Sequence, residues 1–233
     1  MNKKFILPIS LVLLVGLAVF VSAYYRPSSY DASDNSVTFN IPKAGWYVIP
    51  FASPNNQDCV NKGSIKAVWI WSPTSKKYIG GKYDGQISSE DRAQFESDKS
   101  SKYLYSLENF GGGWVYFSKP CEYKVRFSPY SPGTGEFEST LGQLKLIKGW
   151  NFFVVNPAYD GKSLNDLKGD CNIIQTAAWD ADTQNWMNTN LNTALSEKLQ
   201  KSFSGEHLLV KVSETCTMGL ASSTSEQPPT IPN

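Results

Sequence analysis

From residue 37 onward the chain alternates short apolar runs with clusters of turn-forming residues, a pattern that predicts strands rather than long helices. Val37-Thr38-Phe39-Asn40-Ile41 and Gln143-Leu144-Lys145-Leu146 alternate apolar and polar positions at the period of a half-buried strand. Trp46 to Ile49 and Trp150 to Val155 are short continuous apolar runs. Ile65 to Trp71 and Lys77-Tyr78-Ile79 flank Ser72-Pro73-Thr74-Ser75, which predicts a hairpin. Ile173 to Trp179 and Trp186-Met187 do the same around Asp180-Ala181-Asp182-Thr183. Trp114 to Phe117 with Cys121 to Phe127, and Leu208 to Val212 with Cys216 to Leu220, supply closing strands. Two stretches break the rhythm. Ser88 to Ser101 is polar and charged and fits a weak helix or a loop, whereas Leu195, Leu199 and Phe203 at four-residue spacing predict a short amphipathic helix over Leu191 to Phe203.

These runs recur in one order, which predicts an internal repeat. Gly45-Trp46-Tyr47-Val48-Ile49-Pro50 matches Gly149-Trp150-Asn151-Phe152-Phe153-Val154, and Asp58-Cys59 matches Asp170-Cys171. The Ile65/Trp71, Trp71/Tyr78 and Trp114/Cys121 spacings return as Ile173/Trp179, Trp179/Trp186 and Leu209/Cys216. Four cysteines permit three pairings, and the repeat selects Cys59–Cys121 and Cys171–Cys216, because each bridge then joins equivalent points of one unit. The expected fold is mostly β and sandwich-like, with a short helix per repeat, as two tandem copies of one small disulfide-stapled module. The modules span 37–128 and 141–221, with an arm over 24–36, a Pro/Gly/Ser-rich linker over 129–140 and a disordered tail over 222–233.

Residues 1–23 read as an export segment: Lys3 and Lys4, an apolar run from Phe5 to Val21, and Val21-Ser22-Ala23 ahead of a cut before Tyr24. A second reading keeps residues 5–25 as a membrane anchor, since that length reaches across a bilayer core. Either places the cysteines in an oxidising compartment, extracellular or at the cell surface. Without Lys3 and Lys4 the formal net charge goes from +1 to −1, which offers no electrostatic case for nucleic acid as partner.

Lys148-Gly149-Trp150-Asn151-Phe152-Phe153, followed by Trp179 and Trp186 across a turn and by a late strand, resembles the "GWN" β modules of exported and surface proteins of bacteria and archaea. In that pattern a Gly-rich turn precedes an aromatic strand, as in Phe110-Gly111-Gly112-Gly113-Trp114-Val115-Tyr116. The second half departs there with Ser204-Gly205-Glu206-His207-Leu208, and the first departs where Tyr47 replaces the Asn. The resemblance implies an extracellular, non-catalytic accessory role and names no ligand.

Candidate chemistry is sparse. His207, the one histidine, is expected in a surface turn, with no equivalent in the first half and no Gly-x-Ser-x-Gly elbow to serve. Neither a metal nor a cofactor is expected: the cysteines lack close-paired zinc spacing, and Asp180 to Asn185 lacks the Gly and Glu of a calcium loop. A glycosidase would need two converging carboxylates. Glu90, Asp91 and Glu96 lie in an irregular segment, and only Asp58 and Asp170 recur, each beside a cysteine, where local hydrogen bonding is the simpler role. Trp69, Trp71, Tyr78, Trp179 and Trp186 mark the central hairpins. The pairs Trp71/Tyr78 and Trp179/Trp186 are the candidate ligand platform, with burial in a core as the competing role, and Trp46 and Trp150 are expected in the core. The function expected is an exported, non-catalytic adhesion module recognising a glycan or an extracellular protein. The alternatives are a self-associating subunit of a surface layer or filament, using the arm from Arg26 to Asn35, and a secreted hydrolase.

Overall fold

The protein is described by a computed structural model over residues 27–50, 57–72, 74–82, 88–100, 112–127 and 144–220. The leader, the linker and the tail lie outside the described residues, as do Pro73, Phe110 and Gly111. Among the described residues no helix is long and apolar enough to cross a membrane.

The chain is mostly β. In the first half β1 (Ser29–Asp31), β2 (Ser36–Ile41) and β3 (Gly45–Pro50) lead to a short helix α1 (Gln57–Asn61). Then come β4 (Ile65–Ser72), β5 (Lys77–Lys82), α2 (Ser89–Ser100), β6 (Gly112–Phe117) and β7 (Cys121–Arg126). The second half runs β8 (Lys145–Leu146), β9 (Gly149–Val154), a 3₁₀ turn Pro157–Tyr159, α3 (Leu164–Leu167), β10 (Ile173–Asp180) and β11 (Asn185–Asn188). It closes with α4 (Leu191–Ser196), a second 3₁₀ turn Lys201–Phe203, β12 (His207–Val212) and β13 (Cys216–Thr217).

Both halves carry an antiparallel four-stranded sheet, in the orders β3-β6-β4-β5 and β9-β12-β10-β11. A smaller sheet accompanies each: β1-β2-β7 and β8-β13. Register agrees as well as order. Gly45 lies opposite Phe117 and Gly149 opposite Val212, while Trp71 faces Tyr78 and Trp179 faces Trp186. The ladder slips between Ile65 and Ala67, and again between Ile173 and Gln175. Lys76 and Gln184 both turn their hairpins with positive φ, 53° and 55°.

Strand alternation sends one set of side chains from each large sheet against its smaller sheet. In the first half Tyr47, Ile49, Val115 and Phe117 meet Val37, Phe39, Tyr123 and Val125. In the second, Phe153, Val210 and Val212 pack with Leu146, Met218, and Tyr159, Leu164 and Leu167 from the segment before β10. That segment is not marked by strand periodicity; its signal is the capping box in which Ser163 and Asp166 satisfy each other's backbone N–H.

Disulfides join Cys59 to Cys121 and Cys171 to Cys216, each with Cα atoms 5.1 Å apart. The recurring aspartates brace them. Asp58 Oδ2 accepts from Glu122 N at 2.8 Å, and Asp170 Oδ1 accepts from Thr217 N at 3.1 Å, in each case the residue after the second cysteine. The Glu122 backbone N–H, and then Lys62, hold the Asp58 carboxyl below its ordinary pKa.

Two helical expectations come out differently. Ser89–Ser100 is a helix, whereas Leu191 to Phe203 is divided. Asn190 caps α4, but Leu199 exchanges backbone bonds with Gly161 and Lys162, and that pairing replaces the next helical turn. Leu191, Leu195, Leu199 and Phe203 still pack against the second core, so the apolar face is real although the helix is short.

Candidate functional site: an aromatic cleft between the halves

The faces of the large sheets turned away from the cores confront each other. On the first sheet this face carries Trp46, Trp69, Trp71, Tyr78 and Trp114, with Trp69 opposite Trp114 in the ladder. On the second it carries Trp150, Phe152, Ala177, Trp179, Trp186 and Leu209. The indoles meet across the gap: the Trp114 ring lies 4.6 Å from Trp179 and 5.3 Å from Trp186, edge to face in both cases. Such contacts add to what area burial alone contributes.

Two hydrogen bonds cross the gap as a reciprocal pair. Trp71 Nε1 donates to Trp150 O at 3.2 Å, and Trp179 Nε1 donates to Trp46 O at 3.0 Å. One side of the join is tied further. Trp46 N donates to Gln184 Oε1, Gln184 Nε2 donates back to Trp46 O, and Lys43 reaches the Asp182 carboxylate at 3.4 Å.

Between these contacts the faces leave two cavities. The larger, about 500 Å³, is walled by Trp46, Trp69, Tyr78, Trp114, Trp179 and Trp186. The smaller, about 300 Å³, is lined by Trp71, Trp150, Phe152, Leu209 and Asn188 among others, and again by Tyr78 and Trp186. All seven tryptophans of the chain therefore line one cavity or the other.

The four expected platform rings are brought together, and they divide into two roles. Tyr78 and Trp186 are 41% and 44% exposed, whereas Trp71 and Trp179 are half-buried and hold the halves together. Trp46 and Trp150, expected in the core, are instead half-buried on the cleft face. The reason is parity: β3 sends Tyr47 and Ile49 inward, and β9 sends Phe153 inward. Trp114 was not marked as a site residue, although the same parity on β6, with Val115 and Phe117 inward, puts it on this face.

His207 is not in a surface turn. It opens β12, is 8% exposed, and its ring lies against the backbone of Gly112, where a Cβ would come within 1.6 Å of Nε2. Neither ring nitrogen has a hydrogen-bond partner of good geometry among the described residues. Burial keeps the imidazole neutral, its pKa pushed down to about 3, with the Gly205 backbone acting in the opposite direction. The ring fills the join between halves, a position a general base facing solvent does not occupy.

The carboxylates considered for catalysis do not converge on the cleft. Glu90, Asp91 and Glu96 belong to α2, where Asp91 lies 3.8 Å from Lys77. Asp180 accepts from Asp182 N and from Thr183 N and Oγ1, the hydrogen bonds of an ordinary Asx turn, and these hold its carboxyl below the usual pKa. Among the described residues no group of three His, Cys, Asp or Glu side chains could hold a metal. No family model, no curated protein and no solved structure matches the chain.

Proposed function

We propose that this is an exported, non-catalytic binding protein that holds a glycan in the aromatic cleft between two copies of one sandwich-like β module. The cleft itself carries the reading: seven indoles and a tyrosine surround two cavities, and no charged side chain is among the lining residues. The cavities fall at the low to middle part of the roughly 300–1,000 Å³ range of small-ligand sites. Aromatic faces suit the apolar C–H faces of sugar rings, which stack on them. Shared strand order, register and ladder slip support the duplication, and the two bridges fit an oxidising, extracellular location. The alternative as a layer or filament subunit relied on a free N-terminal arm. It is weakened because Ser29–Asp31 pairs with β2 of its own chain and Tyr30 packs on the first core.

A glycan array probed with purified residues 24–233, with self-association measured on the same sample, tests the reading. Selective glycan binding that Trp186→Ala removes is the expected result. Concentration-dependent polymerisation without glycan binding would favour the layer subunit instead.

A further inference from the structure

The two cavities correspond at most of their lining positions. Shared order and register set Trp71 against Trp179, Trp150 against Trp46, and Tyr78 against Trp186. Each of these pairs contributes one ring to each cavity, except that Tyr78 and Trp186 both line the two. Those two rings are also the exposed ones. Shared by both linings, they form the ridge at which the two cavities adjoin.

The walls define what could lie there. Three indole N–H groups are already engaged: Trp71 on Trp150 O, Trp179 on Trp46 O, and Trp114 on Tyr78 Oη at 3.1 Å. The residues that line the cavities offer ring faces, the aliphatic groups of Ala177 and Leu209 and the Asn188 amide, with no charged side chain among them. A charged ligand would lose hydration against that lining, and the Lys211 ammonium beside the smaller cavity is already seated 5.6 Å over the Trp150 ring. A chain of neutral sugars presents apolar faces at regular intervals and keeps its hydroxyls toward water.

Resting on the glycan reading above, we infer that the two cavities are subsites of one continuous site for a neutral oligosaccharide that crosses the Tyr78–Trp186 ridge. The subsites are unequal. Trp69 and Trp114 wall the larger, where Ala177 and Leu209 stand in the smaller, so the larger one supplies more stacking. Occupying both with one chain makes the second contact intramolecular, and affinity then rises steeply with ligand length.

The test is calorimetry and tryptophan fluorescence on residues 24–233 with neutral cello-, chito-, malto- and manno-oligosaccharides, from mono- to hexasaccharide. Oligogalacturonates serve as the charged control. The expected result is one ligand per chain, affinity rising about a hundredfold or more between short and long members of the preferred series, and no binding of the charged series. Trp186→Ala should weaken the longest ligand about tenfold or more, as removal of a central aromatic anchor does. Trp69→Ala, which gives the larger cavity the residue that Ala177 supplies at the matching position of the smaller, should remove most of the gain with length while leaving short-ligand binding in the smaller cavity. Tyr78→Ala gives a second exposed-ring variant should Trp186→Ala lower the thermal midpoint. Two short ligands per chain with no gain from length would overturn the continuous site while leaving the glycan reading intact. Preference for the charged series would overturn the neutral ligand, and no binding in any series would overturn both readings.

Discussion

On the sheet that begins at Gly45, the cleft face carries Trp46, Trp69, Trp71 and Trp114; on the sheet that begins at Gly149, the matching positions carry Trp150, Ala177, Trp179 and Leu209. Above Trp46 lies the Tyr116 ring at 5.2 Å, and above Trp150 lies the Lys211 ammonium at 5.6 Å, from the corresponding place in the next strand. The hairpin turn of one half has Gln184, bonded to Trp46 in both directions; the other has Lys76. What stays the same is backbone: strand order, register, ladder slip, bridges and the aspartates that brace them. What differs is the smaller sheet, three strands against two, and which side chains occupy the confronting faces. The shared frame tolerates such exchanges on its confronting faces, and Trp69 and Trp114 of the first half, together with Trp179 and Trp186 of the second, make the larger cavity wholly aromatic.

Opening one bridge at a time strains the shared frame most. Loops closed by bonds 62 and 45 residues apart in sequence should each stabilise their half by about 4 kcal/mol in the chain-entropy model. Cys59→Ala/Cys121→Ala and Cys171→Ala/Cys216→Ala should therefore lower stability similarly. If the join couples the halves, calorimetric scanning will show one transition moving as a whole in both variants. Two transitions, only one of which moves, would mean that the halves unfold independently.

Acid comes next, because the halves differ in having one buried histidine between them. The His207 pKa is about 3 when folded and near its ordinary 6.5 when unfolded. Across that window the unfolded chain binds the extra proton, so this part of the stability is intact above pH 6.5 and declines as pH falls toward 3. Urea midpoints should drop more steeply with acid for the native protein than for His207→Gln; parallel curves would remove the histidine from the account.

Gly112→Ala should cost about 1–3 kcal/mol as an overpacking change, since its new methyl meets the His207 ring. Adding His207→Ala should recover much of that loss, a coupling that a double-mutant cycle in denaturant reads directly. The smallest effect separates the two hairpin turns. Gln184→Ala removes two hydrogen bonds to Trp46 and should cost about 1–2 kcal/mol, whereas Lys76→Ala should stay within about 0.5 kcal/mol. Equal effects would mean that the join is tied alike on both sides.

The strand pattern and both hairpins were legible in the chain because alternation and turn residues are local signals, and the cysteine pairing was legible because the recurring spacings set equivalent cysteines side by side. The cleft was legible only in part. Trp71, Tyr78, Trp179 and Trp186 stand out as aromatic pairs across turns, yet whether a ring faces core or cleft depends on which sheet covers the other face. That is why Trp46 and Trp150 were misplaced: Gly45–Pro50 has no polar residue to reveal its parity, and in Gly149–Val154 the polar Asn151 is buried on the inward face, where its amide bonds to the Ile147 and Gly149 backbone. Reading β6 outward from Val115 and Phe117 would have placed Trp114 correctly. His207 was misplaced for a different reason. Its burial is produced by the absence of a side chain at Gly112, nearly a hundred residues away, and no periodicity records such a vacancy. The division after α4 was likewise invisible, since Leu199 pairs with a distant backbone.

The reciprocal indole bonds carry a consequence for how the chain could be cut. Each half lends the other a carbonyl that satisfies a tryptophan, so neither is a finished surface without its neighbour. A protease nick between Phe127 and Leu144 should therefore leave two fragments that migrate together under native conditions and part only in denaturant, whereas a half expressed alone should either seek a second copy of itself or fall out of solution.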